Sequence, residues 1–188
     1  MQCRVQARET LAPNAVLLSL MLVAPAAMAH DHRHHDAHVH GQANVDLAVD
    51  GPVLELALTA PGLGILDFER APESEAERAA LAKALGIFKA GTWVATPAAA
   101  GCRREDAQGS AEGFSAAVPA PTDGEHRHAG FTASVRLRCS QPAALRWVDI
   151  TLPTEFSGLH QVVVNALGPN GQSRSELTAS QQRVELAR

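Results

Sequence analysis

Apolar and polar residues alternate one by one along several stretches of the chain. From Val39, the residues Gly41, Ala43, Val45, Leu47 and Val49 fall on one side, while His38, His40, Gln42, Asn44 and Asp46 fall on the other. A period of two predicts a strand with one buried face. Asp50-Gly51 is a two-residue hairpin signal, and Leu54, Leu56 and Leu58 alternate on the return strand. Pro52 begins that strand, where its missing N–H is tolerated. The clearest later case runs from Phe131 to Cys139, with Phe131, Ala133, Val135, Leu137 and Cys139 on one face and Arg136 and Arg138 opposite.

The period becomes helical once, over about Glu73 to Lys89. Ala80, Leu81, Ala84, Leu85 and Phe88 form an apolar stripe. Glu73, Glu75 and Glu77 crowd the first turns, and Lys83 and Lys89 stand towards the end, which suits the helix dipole. Ser74 is the best cap candidate and Gly91 the stop. Pro61 to Gly64 reads as a turn. Further strands are expected at Trp93 to Thr96, Gly101 to Ala107, Phe114 to Val118, Trp147 to Leu152, Leu159 to Leu167 and Val184 to Leu186. Pro169-Asn170-Gly171 marks a second hairpin turn, and Pro119 to Arg127 reads as a polar loop. The expected fold is mainly β (α+β): a single antiparallel, strand-rich domain at 38–188 with one helix packed on it. No repeat of solenoid length occurs.

The first 29 residues have the three zones of a secretory signal peptide. Arg4 and Arg8 are basic, Ala15 to Ala24 is a short apolar core, and Ala27-Met28-Ala29 is a small-x-small cleavage site. The core falls short of the ~20 residues a spanning helix needs. Cleavage after Ala29 leaves 159 of the 188 residues and moves the net charge from −4 to −5, since two arginines and one glutamate depart. A mildly acidic exported chain is a poor partner for nucleic acid or an anionic bilayer, and no membrane insertion is expected after cleavage. Cys3 leaves with the signal. Cys102 and Cys139 remain, an even pair that reads as a disulfide in an oxidising compartment. The alternative has both thiolates joining histidines on zinc.

Six of the nine histidines fall between His30 and His40, at positions 30, 32, 34, 35, 38 and 40. Neutral imidazole ligates zinc, copper and nickel, and ordinary segments do not concentrate it in this way. Residues 30–37 are polar and without apolar period, so they are expected to form a disordered tail until metal binds. His38 and His40 are two apart on an extended segment, so their α-carbons lie about 7 Å apart on one face. Asp31 and Asp36 are weaker candidate ligands. His126 and His128 repeat the His-x-His spacing beside Asp123 and Glu125, on a loop that the two cysteines bracket. These four histidines could complete a four-nitrogen site, with His30, His32, His34 and His35 as added capacity. His160 reads as a partly exposed strand histidine, and Trp93 and Trp147 read as packing residues.

Catalysis finds no support: Gly-x-Ser-x-Gly, His-Glu-x-x-His and glycine-rich phosphate loops are all missing. An enzyme is not expected. Two other functions compete with zinc binding. Cleavage after Ala29 puts a histidine third behind a free amine (His30-Asp31-His32), an arrangement that binds Cu(II) or Ni(II) in a square plane. An adhesion-type β module with an incidental tail is the other.

The residues also resemble a family. Ala37-His38-Val39-His40-Gly41 leading into Val45 to Val49, Phe68-Glu69-Arg70-Ala71-Pro72 with Glu75-Ala76-Glu77 behind it, Ala100-Gly101-Cys102, Arg138-Cys139 with Gln141-Pro142, and the C-terminal stretch Gly158 to Val164 are similar to the ZrgA-like periplasmic zinc-binding proteins of Gram-negative bacteria. The resemblance implies a periplasmic protein that binds Zn2+ and assists high-affinity zinc acquisition. It would do so by buffering the ion or passing it to the substrate-binding protein of a zinc uptake transporter. It also implies two histidine-rich regions, one at the mature N-terminus and one between the cysteines. The second is reduced here to His126 and His128, where relatives carry a long histidine and acidic run.

Overall fold

The computed structural model describes residues 41–115 and 129–186. The expected signal peptide (1–29), the tail (30–37), His38, His40 and the loop bearing His126 and His128 lie outside the described residues. The rest forms a six-stranded and a three-stranded sheet.

The two-residue alternation becomes the first hairpin. Strands β1 (Gln42–Asp50) and β2 (Val53–Pro61) pair antiparallel, from Asn44 opposite Thr59 to Asp50 opposite Val53. Gly51 turns between them at φ 53°, and Pro52 belongs to the turn rather than to the strand. The alternation does not run unbroken through Gly41, as the sequence suggested: Gly41 sits at φ 77°, and the strand starts one residue later.

Strand β3 (Val94–Ala95) is short. Strand β4 (Cys102–Glu112) runs five residues beyond the expected Ala107, and Phe114 follows it outside any strand. Strand β5 (Gly130–Cys139) follows, then β6 (Trp147–Ile150), β7 (Gln161–Gly168), β8 (Gly171–Leu177) and β9 (Arg183–Glu185). The large sheet has the order β4-β5-β2-β1-β7-β8 and the small one β3-β6-β9. The pairings are antiparallel as expected, with one exception: β1 and β7 run parallel, Gln42 opposite Gln161 and Ala48 opposite Leu167. Pro169-Asn170 forms the β7–β8 turn.

The single long helix is α2 (Glu75–Ala90), two residues shorter at its start than expected because Ser74 caps it. Ser74 Oγ accepts from the Glu77 N–H at 3.1 Å, and the Glu77 carboxylate accepts from the Ser74 N–H at 3.2 Å. This reciprocal pair satisfies two N–H groups that the helix cannot. Arg70 grips the same carboxylate with both terminal nitrogens, at 2.8 and 3.0 Å. Gly91 ends the helix in the left-handed conformation, its N–H shared between the Ile87 and Phe88 carbonyls. Two one-turn helices were not foreseen. Helix α1 (Gly62–Ile65) replaces the expected turn, and α3 (Leu152–Glu155) takes over where β6 stops at Ile150.

The core lies between the inner face of the large sheet, α2 and the small sheet. Val45, Leu47, Leu54, Leu56, Phe131, Val135, Val162 and Val164 are all at most 2% exposed, as are Trp93, Phe88, Val148 and Ile150. Among the described residues no polar or charged residue is buried. The opposite face of the large sheet is polar, with Arg136 bridging Glu55 and Glu105.

The start of α2 predicts a pH dependence. The Arg70 hydrogen bonds, helped by the Glu73 and Ser74 N–H groups, lower the Glu77 carboxyl from 4.5 to about 2. A depressed acid stabilises the fold above its unfolded value and loses that contribution as pH falls towards the folded one. Thermal melts of wild type and Glu77→Gln should therefore differ most at neutral pH and converge between pH 4.5 and 2. A gap that stays constant over that range would refute this role for the carboxylate.

Candidate metal centre

None of the eight histidines proposed as ligands (His30, His32, His34, His35, His38, His40, His126, His128) is among the described residues. What the structure gives is where the segments carrying them join the folded body. The first segment joins at Gly41 and the second at Ala129. Both junctions lie at one end of the large sheet. That end is marked by Gln42 opposite Gln161, by Pro61 opposite Gly130, and by Glu112 opposite the same Gly130.

Helix α1 stands between the two junctions and touches both. On one side the Gly62 N–H donates to the Ala129 carbonyl at 2.8 Å. Gly62 must lack a side chain there, since a Cβ would fall 2.9 Å from that oxygen and 2.8 Å from Glu69 Cγ. On the other side Gly64 packs on Gly41: its Cβ would lie 3.5 Å from the Gly41 α-carbon. Glu69 holds the turn by accepting from the Leu63 N–H at 3.0 Å. Strands β1 and β5 are separated only by β2, so the junctions are two strand spacings apart, about 10 Å.

The disulfide lies away from the second junction. Cys102 and Cys139 are bridged, with S–S 2.03 Å, and they face each other across β4 and β5. The bridge closes the ladder at the end opposite Glu112 and Gly130, about 30 Å along the strands from the junction. Ala129 is held instead by Gly62 and by Gly113, where a Cβ would come within 2.7 Å of the Ala129 α-carbon. With the thiols joined to each other, the alternative of cysteine ligands on zinc falls away.

His160 is the described histidine at this end. It is exposed, and it precedes β7. Its N–H donates to the Gly41 carbonyl at 2.8 Å, and the Gln161 N–H donates to the same oxygen at 3.1 Å. No sequence signal joined His160 to Gly41, because the parallel β1–β7 pairing brings them together from far apart in the chain.

Among the described residues no three His, Cys, Asp or Glu side chains stand together as a metal-holding group. A hollow of about 1010 Å³ lies on the polar face of the large sheet, lined by Asp46, Glu55, Asp106, Arg136, Asn165 and Arg174 among others. It holds no histidine, and its charges are largely matched: Arg136 pairs with Glu55, and Asn165 donates to Asp46. We assign it no metal chemistry. No helix among the described residues is long and apolar enough to cross a membrane.

No curated protein matches the sequence. Residues 37–186 match the family described as ZrgA family zinc uptake protein; the span takes in all the described residues together with His38, His40, His126 and His128, and the chain belongs to that family, with a role tied to zinc uptake.

Proposed function

We propose that the protein is a non-catalytic periplasmic zinc-binding protein. It captures the ion with histidines of both segments and buffers it or hands it to an uptake system. The observation that carries this reading is the shared end of the sheet: Gly41 and Ala129, from which the two His-x-His pairs extend, both lie against the one-turn helix α1. The family's tie to zinc uptake supports zinc as the cargo. Zinc favours four nitrogen or oxygen donors in a tetrahedron, and two imidazole pairs would supply that number. His38 and His40 stand within three residues of a fixed junction, so ordering them costs less than ordering His30 to His35, at about 1–2 kcal/mol per residue fixed.

Calorimetric zinc titration tests this with two altered forms. Replacing His38 and His40 together by alanine should weaken the tightest site at least about tenfold, the scale on which even supporting residues of metal sites matter. Deleting His30 to His35 should lower the number of ions bound and leave the tightest site in place. The reverse pattern would refute the assignment. Expression of the gene under zinc starvation is the expected companion result. Induction by copper excess instead would favour the copper or nickel reading that His30-Asp31-His32 supports.

A further inference from the structure

We propose that the far end of the large sheet binds an aliphatic carboxylate, its chain lying against Leu167 and Leu186 and its head group on Arg146. The inference is independent of the zinc-binding reading above, since Gly41 and Ala129 mark the opposite end of the sheet.

A hollow of about 440 Å³ opens at this far end. The β1–β2 turn at Gly51 and the β7–β8 turn at Pro169 form two of its sides, and the segment from Pro142 to Arg146 closes it together with Leu186. Small-molecule sites enclose roughly 300–1,000 Å³ and are mostly apolar, with a few placed polar groups. The walls here fit that description. Val49, Pro142, Leu145, Leu167 and Leu186 line them, and no acidic residue does. Among the described residues Leu167 is the large apolar side chain left exposed, at 55%. A single exposed leucine on a surface is ordinary. One that stands in a hollow with four other apolar side chains extends a continuous apolar surface, which marks a binding site.

Arg146 supplies the sign of the ligand. It is the charged residue of the lining. Its guanidinium has neither a carboxylate nor another acceptor among the described residues, whereas Arg70, Arg136, Arg138 and Arg183 each hold a carboxylate. Its backbone is fixed. The Arg146 carbonyl accepts from the Leu186 N–H at 2.8 Å, and the next residue, Trp147, pairs with Glu185. The charge is thus anchored beside the apolar wall. A guanidinium takes a carboxylate through two parallel hydrogen bonds, and the attraction grows where apolar groups exclude water. A cation without a counter-charge at the side of an apolar hollow therefore selects an anion with an apolar body. A protein segment fits less well, because each of its residues brings an N–H and a C=O that aliphatic side chains cannot satisfy.

The test uses the purified full chain with octanoate, decanoate and decanol as probes. Decanoate should move the methyl signals of Val49, Leu145, Leu167 and Leu186 in carbon–proton spectra. Calorimetry should find decanoate bound more tightly than octanoate, by about three- to fourfold for each methylene that enters the hollow. Arg146→Gln should weaken decanoate at least about fivefold and leave decanol unchanged. Leu167→Thr should weaken both. Neither variant should shift the thermal midpoint, since both side chains are exposed. Decanol bound as tightly as decanoate would overturn the role of Arg146. A decanoate dissociation constant weaker than about 1 mM, or unmoved methyl signals, would overturn the site. Movement of the same signals by acetyl-dileucine but not by decanoate would overturn the ligand class in favour of a peptide.

Discussion

Phe88→Ala should destabilise the folded chain by about 3–5 kcal/mol, the range for truncating a buried aromatic that the surroundings cannot collapse around. Phe88 is 0% exposed. Its ring centroid stands 5.3 Å from that of Phe131 on β5 and 5.5 Å from that of Phe156 beyond α3, so it links the helix, the large sheet and the C-terminal half. The opposite wall leaves no slack. Gly109 of β4 lies so close to α2 that a Cβ there would meet Phe88 Cβ at 2.7 Å and the Lys89 backbone nitrogen at 3.0 Å. Urea or thermal unfolding checks the size of the loss. A midpoint drop of roughly 10 °C is expected for a domain of this length. Lys83→Ala, on the exposed side of the same helix, should change stability by no more than about 0.5 kcal/mol. A Phe88→Ala loss under about 1 kcal/mol would mean that the helix is not anchored as described.

The second large effect separates stability from metal binding. Replacing Cys102 and Cys139 by alanine frees a loop of sequence separation 37, for which the chain-entropy estimate gives about 4 kcal/mol. The wild-type mass should be two hydrogens below that of the reduced chain. Yet the bridge sits at the far end of the β4–β5 ladder from Glu112 and Gly130. Below its unfolding midpoint, the double variant should therefore keep its tightest zinc affinity within about threefold, because the histidine junctions rest on α1 and not on the bridge. Thermal unfolding and zinc calorimetry on the same preparation read both quantities. A drop in affinity beyond about tenfold in the folded variant would contradict that placement.

The sequence was informative wherever local chemistry decides. Alternation located β1, β2 and β5 and their buried faces. Ser74, Glu77 and Gly91 bounded α2 because caps are local devices. It was blind where partners are distant. The length of β4 was hidden because most of Arg103 to Glu112 is polar: the strand lies at a sheet edge, and beyond Cys102 only Ala107, Gly109 and Ala111 are partly buried. Helix α1 looked like a turn because what stabilises it, the Glu69 carboxylate and the Ala129 carbonyl, comes from elsewhere. Strand β6 was overextended because apolar residues keep recurring, at Val148, Ile150 and Leu152, up to Pro153 in the first turn of α3. The candidate ligands were legible as composition. That their two segments leave from one end of one sheet was not, and neither was the nearness of His160, because both follow from strand order.

That strand order bears on how the molecule assembles. Strand β1 is hydrogen-bonded to its immediate neighbour in sequence on one side and, on the other, to a strand that begins at Gln161. The first hairpin can form early, but it keeps an open edge and an uncovered apolar face until more than a hundred further residues have been searched into place. Closing so distant a contact slows folding across proteins generally. Refolding should be rate-limited by the docking of β7 against β1, and the hairpin alone should offer an attractive edge to other unfolded copies until then.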